Sequence, residues 1–344
     1  MSASETAPTG VDPALVQMME AVFAEHRDAH PPARTVERDT GLWRRLDDLG
    51  LIRLTGAEES GGSGAGWFEA AELLAAAARN AVRIPLAEHD LLACWLLDAN
   101  GMDSDGAVRT ACLLGDDGTA GGVPWAARSD RVVVVWRDGH KHRIADVEAS
   151  TLAITPGTNL IGEPRDCVVA DIATLDGVAV SSDLVAELWL KSALVRAVQV
   201  CAALDTIVAS SVEHAASRVQ FGRPLSRFQA VQHLIADLAA EAALARAATE
   251  AALTTAVTSN WSADNLHFRI AAARSCVGHA TSVVVRNAHQ VHGAIGTTYE
   301  HRLHEFTRAA LAWRSEFGTV RYWDEQVLDA TVAAGAEMWS LIAE

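Results

Sequence analysis

Long apolar runs, paired cysteines and an excess of positive charge are all missing from this chain of 344 residues. No stretch reads as apolar over the ~18 or more residues that a membrane span needs, so no membrane partner is expected. The opening, MSASETAPTGVDPALV, lacks a basic segment followed by an apolar core, which argues against a secretory leader. Five cysteines (Cys94, Cys112, Cys167, Cys201, Cys276) are scattered without a CxxC. That odd, dispersed set excludes a disulfide frame or a cysteine zinc site; it predicts buried, reduced thiols in a soluble, cytoplasmic protein, and no metal site is expected. A formal net charge of −16 offers no basic field to a phosphate backbone and excludes a nucleic-acid partner. Any anionic ligand has to be held locally, by arginines and helix N-termini.

Hydrophobic residues make up 50% of the chain and charged residues 21%, enough for a large core and more than one domain. VDPALVQMMEAVFAEHR, GLWRRLDDLGLIRL, ELLAAAARNA and LLACWLLDAN carry apolar residues at helical spacing up to Gly101. A Gly/Ser-rich loop, GAEESGGSGAG, interrupts them before Trp67. From about Val108 to Val180 the texture changes to short β-branched runs such as RVVVVWRDG and DCVVADIATL, which predict a small antiparallel sheet or barrel. After Ser182 the pattern is helical over 184–217, 226–259 and 263–291, with two shorter segments beyond Gly296. The expected class is α+β, mainly α, in three domains: a helical domain over 1–106, a β-domain over 107–182 and a helical bundle over 183–344.

Residues 217–233 read SRVQFGRPLSRFQAVQH. One helix runs into Arg218, Gly222 and Pro224 break the chain, and a second helix is expected to open at Ser226. Ser226-Arg227-Phe228-Gln229 fits a capping box, followed by an apolar stripe of Phe228, Val231, Ile235, Leu238 and Ala242. Residues 288–300, AHQVHGAIGTTYE, end another long helix in a glycine-rich turn. Such turns let backbone approach a ligand closely, and an arginine supplies a bidentate phosphate clamp. For Arg218 alone, a favourable place at a helix C-terminus is the simpler account. Phe221 and Phe228 are equally compatible with core packing, and Gln290 and Gly293 with a helix cap.

These segments resemble the acyl-CoA dehydrogenase family, over nearly the whole chain. TGAEESGGSG looks like its PEEYGG-type loop, with Ala57 in place of the proline. RVQFGRPLSRFQAVQH looks like its R-x-x-F-G-x-x-x-x-x-x-Q segment, and QVHGAIG like its Q-x-x-G-G-x-G, with Ala294 for the second glycine. The resemblance implies an N-terminal helical domain, a small middle β-domain and a C-terminal four-helix bundle that carries tetramer contacts. It also implies an FAD-dependent oxidoreductase acting on CH–CH bonds of an acyl-CoA, with each flavin lying across a subunit boundary. Carried over by position, Arg218 would bind the FAD pyrophosphate with Gln220 beside it, and Phe221 would pack near the adenine. Phe228 and Gln229 would lie near the flavin's far half, while Gln290, His292 and Gly293 would line the adenosine pocket.

The family's reaction removes an α-proton from the thioester while flavin accepts the β-hydride, and it needs a carboxylate base. One family position for that base is the residue before Gly318-Thr319, which here is Phe317. The other lies twenty-six residues before Arg218, which is Ser192. Glu316, one residue from the first position, is the weak remaining candidate; its simpler reading is an exposed loop carboxylate near Arg314 and Arg321. The family's T-E-P-x-x-G-S-D stretch is also absent, and Trp125 and Ser129 match nothing specific. The expectation is therefore a subunit that lacks the base. It would give the pyrophosphate and adenosine half of an FAD site to a homologous catalytic partner, in an α2β2 assembly of the kind known among shortened actinobacterial, steroid side-chain members. The alternatives are a self-sufficient homotetramer using Glu316 and a cofactor-free scaffold.

Overall fold

A computed structural model describes residues 10–30 and 36–343, so the opening segment read above for a leader lies outside it. Three helices start the described chain. Helix α1 (Pro13–Ala29) opens where the Asp12 carboxylate accepts the Ala14 N–H, with Pro13 in the first turn. Helix α2 (Thr40–Asp48) is capped by Asp39 in the same way. The glycine-rich loop then folds so tightly that a Cβ on Gly62 would fall 2.0 Å from the Gly56 carbonyl oxygen. Its exit is fixed by the Glu69 carboxylate, which accepts the Gly66 N–H and opens α3 (Trp67–Arg79). The segment expected as ordinary helix before Gly101 is π-helical over Ala87–Cys94 and α-helical only in α4 (Trp95–Ala99). Glu88, His89 and Asp90, all in the widened turns, are buried.

Seven strands follow: β1 (Arg109–Leu113), β2 (Thr119–Pro124), β3 (Arg131–Asp138), β4 (Lys141–Glu148), β5 (Ala153–Thr155), β6 (Arg165–Val169) and β7 (Val178–Val180). They form two sheets, ordered β1-β3-β4-β7 and β2-β6-β5, where a single small antiparallel sheet or barrel was expected. The β1–β3 pair is parallel, with Arg109 opposite Arg131. The split comes at β2, whose register slips between Ala120 and Val123, and at Trp125, whose left-handed backbone (φ 60°) turns the chain away. The Val132–Val135 run is buried on both faces. Val132 and Val134 join the core between the sheets, while Val133 and Val135 pack on Leu92, Leu96 and Leu188.

The remaining chain is a helical bundle of α5 (Ser182–Ser217), α6 (Gln229–Thr258) and α7 (Leu266–His292), with α8 (Leu303–Trp313), α9 (Val320–Ala334) and α10 (Met338–Ala343). Helix α5 corrects one expectation: an 18-residue window of it has a mean hydropathy of 1.5, long and apolar enough to cross a membrane. Two-thirds of that window is buried inside the protein, because α5 is the core helix against which α3, α6, α7 and α8 pack. The capping box at Ser226 does not form either. Helix α6 begins at Gln229 with Phe228 as its cap residue, and Ser226 instead accepts the Gln232 side-chain amide through its carbonyl. A 3-10 turn over Leu225–Arg227 uses up the residues that the box needed. Of the apolar stripe on α6, only Leu238 and Ala242 are buried. All five thiols are free, but Cys167 is exposed and Cys276 partly so, because their strand and helix faces look outward.

Candidate functional site

The two ends of α5 carry different chemistry. At the sheet end, the turn between α8 and α9 brings Glu316, Phe317 and Gly318 against α5 and the β-layer. A cavity of about 610 Å³ opens there, lined by Gly121, Gly122, Trp189, Ser192, Glu316 and Phe317, among others. Ser192 offers little to it, since its hydroxyl donates to the Leu188 carbonyl of the previous turn at 2.7 Å. Phe317 holds a left-handed backbone (φ 52°), with its ring edge-on to Trp189 at 6.2 Å. Trp125 and Ser129 are buried and bonded to each other, the Ser129 hydroxyl donating to the Trp125 carbonyl at 3.0 Å.

Glu316 is not the exposed loop carboxylate that its neighbours in sequence suggest. Its side chain is only 16% exposed and is clamped from two sides. Arg165 donates to both oxygens, from Nε at 2.8 Å and Nη2 at 2.9 Å. Arg196 on α5 donates from Nε at 2.6 Å, and the Asn159 amide at 3.1 Å. Burial by itself pushes this carboxyl up, but Arg165 and Arg196 outweigh it and hold it at about 2. The loop backbone is tied as well, because Arg274 donates to the carbonyls of Arg314 and Glu316 at 3.0 and 2.7 Å. The cluster continues through Arg196 to Glu88 at 2.7 Å and through Arg165 to Glu163 at 2.9 Å, where the Trp313 indole also donates. Arg314 and Arg321 pair elsewhere, with Ser282 and Glu325.

The opposite end of α5 is open. Arg218 is the cap residue, its N–H donating to the His214 carbonyl at 2.9 Å. Its guanidinium has no partner among the described residues, and the side chain is exposed. The chain then forms a two-residue hairpin of β8 (Val219–Gln220) and β9 (Arg223–Pro224). Phe221 (φ 53°) and Gly222 (φ 76°) are both left-handed, the pattern of a type I′ turn. A phenylalanine in that position is strained, and its ring is 92% exposed. Phe228 lies edge-on to it at 6.2 Å, under the Arg223 guanidinium at 4.1 Å. Gln220 and Gln229 are also exposed.

The second motif meets the first at this end. Helix α7 stops at His292, whose ring stacks on His214 of α5 at 4.4 Å. Gly293 follows with φ 63°, and both it and Gln290 are exposed while His292 is buried. The hairpin residues and the α7 end are therefore joined, whereas Glu316 stands apart with the ion cluster. Sequence reasoning missed Glu88, Glu163, Arg165 and Arg196. They come from three separate segments, so no local spacing marks the set; only an arginine on the inner face of an apolar helix gave a hint.

The comparisons with known proteins agree with this architecture. Residues 13–105 match the acyl-CoA dehydrogenase N-terminal domain and residues 190–327 the C-terminal domain. Acyl-CoA dehydrogenase IpdE2 of Mycobacterium tuberculosis is 29% identical over 79% of this chain and 80% of its own. The ChsE4-ChsE5 complex from the same organism gives a TM-score of 0.80 at 21% identity, covering 94% of this chain and 98% of that one. The steroid ACAD named Tcur3481-Tcur3483 gives 0.81 at 19%, with the same coverage. The family is one of FAD-dependent oxidoreductases that act on CH–CH bonds. This chain belongs to the acyl-CoA dehydrogenase family.

Proposed function

We propose that this chain is the base-free subunit of an FAD-dependent acyl-CoA dehydrogenase, giving the pyrophosphate and adenosine half of a flavin site to a homologous catalytic subunit. The observation that carries the reading is the contrast between the groups gathered at the two ends of α5. Arg218 is unpaired and exposed beside a strained, outward-facing Phe221, while the carboxylate nearest the family's base position is locked between Arg165 and Arg196.

The residues present fit half of the cofactor. A free guanidinium beside a left-handed turn suits a diphosphate, which a bidentate contact holds with ~1.5–3 kcal/mol. In this reading Gln220 and Gln229 add amide contacts along the dinucleotide, and Phe221 covers the adenine. Gln290 and Gly293 shape the adenosine side, where His292 packs beneath. The ring half fits less well, because the cavity at the sheet end is walled by an ion cluster and lacks a positioned base. When bound, FAD supplies the acceptor for the β-hydride of the thioester. The proton abstraction falls to the partner's carboxylate. A steroid side-chain CoA ester is the acyl group we favour, on the strength of the steroid ACAD among the structural neighbours; the ChsE4-ChsE5 complex supports a heteromeric assembly, which we take to be α2β2.

The test is flavin content of the chain purified alone and co-purified with a homologous dehydrogenase subunit. We expect flavin only in the complex, at one per pair of chains. Full redox-active flavin in the isolated chain would overturn the shared site and favour the homotetramer. A complex without flavin would leave the scaffold.

A further inference from the structure

Three imidazoles converge at the open end of the bundle, from parts of the chain that lie far apart. His214 is in the last turn of α5, His292 ends α7, and His301 sits in the turn before α8. His214 and His292 stack at 4.4 Å with planes 24° apart, and His301 meets them edge-on at 6.0 and 4.7 Å. One ligand nitrogen from each ring lies within 4.8 Å of the other two.

His292 is the best-prepared of the three. It is 5% exposed, and its Nδ1–H donates to the Ala288 carbonyl at 2.8 Å. That bond fixes the tautomer and leaves the Nε2 lone pair free; Nε2 is buried and has no hydrogen-bond partner. A backbone carbonyl behind one nitrogen and a bare lone pair on the other is how metal-ligating histidines are held. The Nδ1 of His301 accepts the Leu303 N–H at 3.1 Å. This ring must give up that bond or reorient to join the other two, so it is the ligand that moves.

We propose that His214, His292 and His301 form a three-imidazole site for a borderline divalent cation of the Zn2+ class, with a fourth position open to water. Three neutral nitrogens and no carboxylate select this class over Mg2+ or Ca2+, which need oxygen ligands. The bound ion would pin the ends of α5 and α7 and the turn before α8 into one unit, four residues from Arg218. His292 would then act in the half-site by position and not by touching the nucleoside.

The experiment is equilibrium dialysis of the full chain against Zn2+ after chelator treatment, with metal counted per chain, alongside a Co2+ titration followed in the visible. One tight equivalent and the intense d–d bands of tetrahedral nitrogen coordination are expected. His301→Gln and His292→Asn should each weaken binding roughly 100-fold, whereas His279→Ala on the exposed surface should not. Two variants guard against one failing to fold. Binding that is weak, or that follows His26→Ala at the partly exposed His26–His30–Asp39 group, would overturn the site, as would absent d–d bands. Flavin content of the same samples is read separately, so a metal-free chain that still completes a flavin site overturns only this proposal.

Discussion

Four N–H groups from three side chains surround the Glu316 carboxylate, and they decide what that group can do. A base must have a lone pair to spare and a pKa near the working pH; Glu316 has neither, since its oxygens are taken and it stays ionised down to about 2. The substitution Glu316→Gln therefore separates two roles. As a clamp, it leaves Arg165 and Arg196 buried without their shared counter-charge, and the loss should be on the order of 3–5 kcal/mol in chemical denaturation. As a base, the same variant would keep its stability and lose only turnover. The clamp also has a pH signature. The folded-state pKa is depressed from an ordinary 4.5 to about 2, so its stabilisation is complete above 4.5. It is lost as pH falls from 4.5 towards 2, because the unfolded chain takes up the proton first. Denaturation midpoints over that window should fall more steeply for the native chain than for Glu316→Gln, and parallel curves would refute the clamp.

At the scale of elements, the hairpin between α5 and α6 is a surface built without an intramolecular purpose. Phe221 contributes nothing to the core and costs backbone strain, and Arg218 has no side-chain partner among the described residues. Arg218→Ala should then leave the melting temperature of the isolated chain within a degree or so, yet lower flavin affinity of the complex by roughly 10- to 150-fold, the equivalent of a charge-assisted contact. A clear loss of stability in the isolated chain would mean that the arginine is structural after all.

The long helices and their breaks were legible because Gly222, Pro224 and the 3.6-residue pattern are local signals. The capping box misled, since S-x-x-Q says nothing about a 3-10 turn competing for the same residues. The π-helix was invisible, as its cause is tertiary: buried Glu88, His89 and Asp90 each reach a different partner, Arg196, Arg109 and Thr55. The parallel β1–β3 pair was missed for a similar reason, because short β-branched runs do not encode their neighbours. At the site, the hairpin and α7 motifs could be read directly, whereas the Glu316 clamp and the three-histidine cluster depend on contacts between distant segments.

Across the whole molecule, one network of ion pairs and hydrogen bonds links all three layers. Arg27 on α1 pairs with Glu305 on α8, and Arg83, just after α3, donates to the Glu305 backbone carbonyl and pairs with Glu163 at 3.9 Å, while Arg196 on α5 binds Glu88 before α4 and Glu316 after α8. Arg165 and Glu163 bring in the β-layer. Each member depends on the next for charge compensation, so no layer can leave without stranding buried charge in another. Calorimetry of the chain should show a single endotherm, and Glu316→Gln, by cutting the shared node, should broaden or split it. Two separate transitions in the native chain would show that the layers are independent.

Helix α5 is also a ruler. From Ser192 at the sheet-end cavity to Arg218 at the hairpin is twenty-six residues of uninterrupted helix, a distance of ~39 Å. That is far beyond the span of one dinucleotide. On the proposed reading, a flavin gripped by Arg218 would rest its ring on a different polypeptide. In that reading the rod keeps one chain from completing its own site, and its length would set how far apart successive sites in the assembly lie.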